Sequence, residues 1–209
     1  MYALDTQAAK AANAGGRIDT TGKYNGTIKR CIMFTNQNGT DGVEFEFVDS
    51  TGAGATMTLW TRSQKNPKLS GYNVLMSMMV VCGIRNLSAQ PRMVKKYDYA
   101  EKAEIDMQVT VAPEFDNKPI TLLLQREEYE KNNGDTGYRM NIYAAVQQGT
   151  DLSADEILDR KTVAEQVNKL LGRLADKKAK PQDSGGQRQQ QTRSQPQSRH
   201  DELDDALPF

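Results

Sequence analysis

Histidine is nearly absent from this chain of 209 residues: the only one, His200, falls in a polar stretch where nothing apolar can hold it in place. That removes His-based triads, proton shuttles and His-rich metal clusters from consideration. Cysteine is as sparse. Cys31 and Cys82 stand far apart, without the close pairing of a structural zinc site, and read as buried hydrophobes rather than as ligands or a disulfide. No apolar run approaches the about 20 residues of a membrane-spanning helix, and Met1-Tyr2-Ala3-Leu4-Asp5 lacks the basic-then-apolar layout of a signal peptide. The expectation is a cytoplasmic protein without membrane contact. Asn25-Gly26-Thr27 and Asn38-Gly39-Thr40 then read as turns, not glycan acceptors. Net charge is lacking too, since 27 basic residues face 27 acidic ones.

Material for catalysis is thin. Asp98, Glu101, Glu104 and Asp106 cluster, but Lys95, Lys96 and Lys102 interleave them, which is the pattern of a solvated charged face. Gly16 to Lys23 ends like a phosphate-binding loop, yet its glycines are one residue too far apart and Tyr24 stands where Ser or Thr would hold magnesium. The chain is expected to be no enzyme and to need neither cofactor nor metal.

What the sequence does have is strand patterning, then helix, then polar tail. Lys23 to Thr35 contains Tyr24, Ile28, Cys31, Ile32, Met33 and Phe34 and halts at Asn36-Gln37-Asn38-Gly39, so one long strand is expected. Val43 to Val48 alternates strictly, with Val43, Phe45 and Phe47 inward and Glu44 and Glu46 outward. In Ala55 to Arg62, Met57 and Leu59 share one face while Thr58, Trp60 and Arg62 share the other. Tyr72 to Cys82 is apolar on nearly every side and rich in Met and Leu, which predicts a buried helix. Between Arg85 and Pro119 only Ile105, Met107, Val109 and Val111 alternate, and one strand between long loops is expected there. Ile120 to Glu130 and Tyr138 to Val146 flank the turn sequence Lys131 to Gly137 and form a hairpin. Three strands, a helix and a late hairpin give a mainly β chain in the order of an OB-fold, a five-stranded Greek-key barrel with a helix between strands 3 and 4.

The barrel is assigned to residues 20–148. Residues 1–19 form a weakly anchored arm with an Ala-rich helix over 6–14 capped by Gly15-Gly16. Residues 149–180 form a helical extension with two capping boxes, Ser153 with Glu156 and Thr162 with Glu165. Its apolar stripe of Val163, Val167, Leu170, Leu171 and Leu174 is expected to pack down on the barrel. Residues 181–200, rich in Pro, Gln, Ser and Arg, cannot bury a core and read as a disordered linker.

Residues 201–209 are Asp201, Glu202, Leu203, Asp204, Asp205, Ala206, Leu207, Pro208 and Phe209: four carboxylates, no base, and a closing aromatic ring. Such a tip has too little apolar surface to fold alone and should wait for a partner's apolar pocket rimmed by Arg or Lys. Its acids also leave the rest of the chain slightly basic. A Gln-rich tail closing in acids and Pro-Phe resembles the C-terminus of bacterial and phage single-stranded DNA-binding proteins, and Asp204, Asp205, Leu207, Pro208 and Phe209 match that pattern. The resemblance covers only the tail closely. It implies an OB-fold domain that binds and protects single-stranded DNA without sequence specificity. It also implies a tip that recruits replication, recombination and repair proteins, such as a polymerase, helicase, primase, nuclease or recombinase. The extensions resemble phage-encoded members more than the bacterial housekeeping protein, whose N-terminal strand pattern is missing here, so a homo-oligomer is left open.

Strand binding needs aromatic faces for bases and cations for phosphates. Trp60 and Arg62 on one strand, with Arg139 and Tyr143 on the corresponding face of the last, supply both, and Lys65 and Lys68 follow Trp60 in a loop. Arg92, Lys95, Lys96, Tyr97 and Tyr99 mix cations with aromatics, and Arg126 and Tyr129 approach the final hairpin. The rival reading is a recombination or helicase-loading adaptor without strand affinity, whose tip and helical stripe both dock proteins.

Overall fold

The computed structural model describes residues 15–98, 103–131 and 134–178, without the side chains of Tyr97 and Asp98. The helix expected over 6–14, the linker, the tip and Tyr99 lie outside the described residues. The protein is mainly β. Its strands are β1 (Gly22–Thr35), β2 (Asp41–Asp49), β3 (Gly54–Arg62), β4 (Gln90–Asp98), β5 (Ala103–Val111), β6 (Lys118–Glu130) and β7 (Thr136–Val146). Helix α1 (Ser70–Val81) follows β3, and two short helices, α2 (Ala154–Leu158) and α3 (Gln166–Leu171), follow β7. Among the described residues no helix is long and apolar enough to cross a membrane.

All seven strands belong to one antiparallel sheet organised by β1. One edge of β1 pairs with β2, with a register break between Ile28 and Arg30 that bends the strand. The other edge is shared: Gly22 to Ile28 pair with β6, while Ile32 and Met33 pair with the end of β5. Between them a 3₁₀ turn, Pro113–Phe115, fills the gap, tied by Ala112 N–H to Cys31 O (2.9 Å) and Asn117 N–H to Ile28 O (2.8 Å). Its Phe115 is fully buried, edge-on to Phe45 at 5.1 Å between ring centroids. The inward faces follow the alternation in the sequence: Val43, Phe45, Phe47, Met57 and Leu59 meet Ile120, Leu122, Leu124, Met140 and Ile142 under α1. Each such side chain contributes about 1.5–3 kcal/mol by leaving water. Burial pushes both thiols up, Cys82 to about 12, so neither is a ready nucleophile.

Helix α1 begins without a side-chain cap at Leu69 and ends in a Schellman arrangement, with Gly83 at φ +67° and the Ile84 N–H reaching Met79 O at 2.8 Å. β3 and β7 come alongside each other, yet among the described residues no backbone ladder joins them.

Three features differ from the sequence reading. The segment before residue 120 holds two paired strands, not one, because β4 finds a full antiparallel partner in β5. β4 lies at the edge of the sheet and buries only Val94 among its described side chains, while Met93 is 61% exposed, so it has no apolar face to announce it. The expected weak anchorage of the arm does not extend to Ile18, which is buried and whose N–H bonds Gly54 O at 2.9 Å. Finally, Val163 is 66% exposed, and the box of Thr162 with Glu165 does not form. Glu156 takes the N–H groups of Glu165 and Gln166 instead, at 2.7 and 3.0 Å, and α3 starts at Gln166. The rest of the stripe does pack down: Val167, Leu170, Leu171 and Leu174 cover Leu123 and Val146 on the outer face of the β6–β7 hairpin.

Candidate nucleic-acid interface

β3 turns Thr58 and Trp60 away from the core, and Trp60 is left 40% exposed. Opposite it in β2 stands Gly42, with Phe34 beyond in β1. A Cβ at Gly42 would come 2.6 Å from the Phe34 ring. The glycine therefore lets that ring lie across β2 and meet Trp60 edge-on, with centroids 5.4 Å apart and planes at 74°. From the other side, α1 presses on the β3 backbone so closely that a Cβ at Gly71 would stand 2.5 Å from Trp60 O. The indole is thus carried on a stiff support.

Two clefts adjoin this aromatic pair. One, of about 290 Å³, lies between β3 and β7, with Thr58, Trp60, Ser70, Gln125, Asn141 and Tyr143 in its wall. The other, of about 680 Å³, is lined by Phe34, Asp41, Arg62, Lys68 and Tyr72. There the Lys68 ammonium sits 5.4 Å from the centre of the Tyr72 ring.

Charge is distributed less generously than the residue types suggest. Arg62 pairs with Asp41, Arg92 with Asp116 and Arg139 with Glu127, each at 2.6 Å, and Lys96 with Glu44 at 2.7 Å. Arg126 lies 3.6 Å from Glu128, and its guanidinium stacks 4.8 Å from the centre of Tyr138. Thr35 hydroxyl donation, followed by Arg62, lowers the pKa of Asp41. Glu127 is held down at about 2, first by Lys177 and then by Asn141 and Arg139, against its burial. Lys65, Lys68 and Lys95 make no ion pair among the described residues.

The expected binding residues therefore divide. Trp60, Arg62, Lys68 and Tyr143 line the two clefts, and Lys65 shares the β3–α1 loop with Lys68. Arg139 shares a face with Tyr143 but is tied into the Glu127 network with Lys177. Tyr129 lies over Gly137 at the turn end of the last hairpin, with Arg126 three residues before it on β6. On β4 the alternation separates Arg92 and Lys96 from Lys95. Lys96 reaches Glu44, which stands opposite Thr58 on the outward face of β2 and β3, the face that also carries Trp60. Phe34, Tyr72, Gln125 and Asn141 enter the clefts without having been singled out in the sequence. Their positions depend on strand register and on where α1 begins, and no local pattern marks them. No protein-family model matches this chain, and a search of the curated proteins finds no match.

Proposed function

We propose that this protein binds single-stranded DNA without sequence specificity, protects it during replication, recombination and repair, and recruits partner proteins through residues 201–209. One observation carries the strand-binding half: the exposed Trp60, set edge-on to Phe34, adjoins two clefts that also hold Tyr143, Tyr72 and Lys68. Aromatic faces beside a cation are what an unpaired strand needs, because every base has a stacking face. The order β1-β2-β3-α1-β6-β7, with β1 bent and paired to both β2 and β6, supports an OB-fold into which β4–β5 is inserted. Oligonucleotides in that fold lie over strands 2 and 3, where Trp60 stands. The recruiting half is supported by the composition of the tip, four acids closing in Leu207-Pro208-Phe209.

The test is Trp60 emission of the full chain, titrated with oligo-dT and with duplex of equal length at several salt concentrations. Quenching by the single strand alone is expected. Since the arginines of the site already hold carboxylates, Lys65 and Lys68 in the β3–α1 loop are the cations beside the clefts that remain available to phosphate. The slope of log K against log salt should accordingly be shallow, roughly −1.4 at about −0.7 per phosphate neutralised. A slope steeper than about −4 would mean that the ion pairs open on binding. No response to either nucleic acid, confirmed by gel shift, would move the function to a protein-docking adaptor.

A further inference from the structure

The wall of the smaller cleft has a fixed hydrogen-bonding sense. Gln125 and Asn141 stand opposite each other in the β6–β7 ladder, and both line the cleft with Trp60 and Tyr143. Asn141 Nδ2 donates to Glu127 Oε2 at 2.7 Å, and Gln125 Nε2 donates to Ala175 O at 2.7 Å. Neither partner can donate in return. A carbonyl has no hydrogen, and Glu127 is kept ionised by Lys177 at 2.5 Å and Arg139 at 2.6 Å. Neither amide can flip, so Asn141 Oδ1 and Gln125 Oε1 remain as a neighbouring pair of acceptors, each beside the second N–H of its own amide.

We propose that this cleft is a base-selective subsite that takes one guanine from the bound strand, its ring against Trp60 and its N1–H and 2-amino group donating to Asn141 Oδ1 and Gln125 Oε1. The inference rests on the strand-binding reading above. Guanine is the DNA base whose pairing edge places two donors side by side; adenine and cytosine set an acceptor beside the amino group, and thymine flanks its N–H with two acceptors. Held across both amides, those bases would put a lone pair against one of the two oxygens; held on a single amide through its second N–H, they would leave the other oxygen unpaired. The hydroxyls of Thr58 and Ser70 in the same wall rotate to suit and oppose no base. At about 290 Å³ the cleft is near the small end of ligand sites, room for a single base.

Trp60 emission of the full chain would be titrated with a dT oligomer and with the same oligomer carrying one central dG, inosine or dA. Inosine keeps N1–H and lacks the 2-amino group. The dG oligomer should bind about tenfold tighter than all-dT, inosine about threefold tighter, and dA no tighter. Gln125→Leu should erase the dG preference and keep quenching by dT. The inosine arm uses the unaltered protein and so does not depend on a variant folding. Equal affinities for dG and dT, or a preference that survives Gln125→Leu, would overturn the subsite and leave strand binding standing. Silence toward every oligonucleotide would overturn both.

Discussion

Trp60→Ala is expected to weaken single-strand binding by about one to two decades while leaving the melting temperature nearly unchanged. A stacked base is worth about 1–3 kcal/mol by truncation to alanine, and about 1.4 kcal/mol is a factor of ten. The fold has little to lose by comparison. The indole is 40% exposed, its one ring contact among the described residues is the edge of Phe34, and the core beneath β3 is made by Met57 and Leu59 on the opposite face. Trp60→Phe keeps a stacking face and should recover most of the affinity. Both variants lose the intrinsic signal, so binding is read by anisotropy of a labelled oligo-dT, with a thermal melt alongside. Lys68→Ala makes the contrast: removing one phosphate contact should flatten the salt slope by about 0.7 and weaken all sequences alike. Wild-type affinity in Trp60→Ala would place the strand elsewhere on the molecule.

How far the sequence could lead to this surface depends on which residues act alone and which act through register. The alternation of Val43, Phe45 and Phe47, the outward Trp60 and the apolar run of α1 are local patterns, and each strand or helix they announce is present. β4 was illegible because its edge position asks for no apolar face, and its pairing rests on backbone bonds to β5 that do not depend on apolar side chains. The arginines misled for a related reason. Arg62, Arg92 and Arg139 are exposed residue types, yet Asp41, Asp116 and Glu127 meet them across strands or loops 12 to 24 residues away, and no spacing rule gives those partners. Gly42 and Gly71 are the positions where a glycine carries information about the site, one admitting Phe34 to Trp60 and the other admitting α1 to β3. Glycine in sequence signals a turn before it signals close approach. The acidic tip is legible as chemistry, four carboxylates beside Leu207-Pro208-Phe209.

Glu156→Ala should destabilise the protein by about 3 kcal/mol, because the side chain organises the whole extension after β7 and is fully buried. Its Oε2 accepts from the Ser153 N–H and hydroxyl at 2.9 and 2.8 Å, and its Oε1 accepts from the N–H groups of Glu165 and Gln166. Truncation would leave the buried Ser153 N–H without its partner beside a void, at a cost of about 1–3 kcal/mol. It would also release the part-buried N–H groups of Glu165 and Gln166, at a smaller cost because water can reach them. For a chain of this size the loss corresponds to about 6–12 °C in melting temperature. The effect should also reach the candidate interface, since the extension packs on Tyr143 and supplies the Ala175 carbonyl that orients Gln125. The pH dependence follows from the same bonds. Donation from the Ser153 N–H, then from Glu165, the Ser153 hydroxyl and Gln166, holds the carboxyl at about 2, below its ordinary 4.5. Its stabilisation is therefore complete above pH 4.5 and is lost as pH falls through about 2. Glu127 titrates in the same window, so acid melting of the wild-type alone would not separate the two. Glu156→Gln does separate them: a neutral isostere resembles the protonated acid, and the gap between the two melting curves should be several degrees at pH 7 and close as pH approaches 2. A gap that persists at pH 2, or an alanine variant that melts with the wild-type, would show that the extension is held by Val167 and its neighbours rather than by this carboxylate.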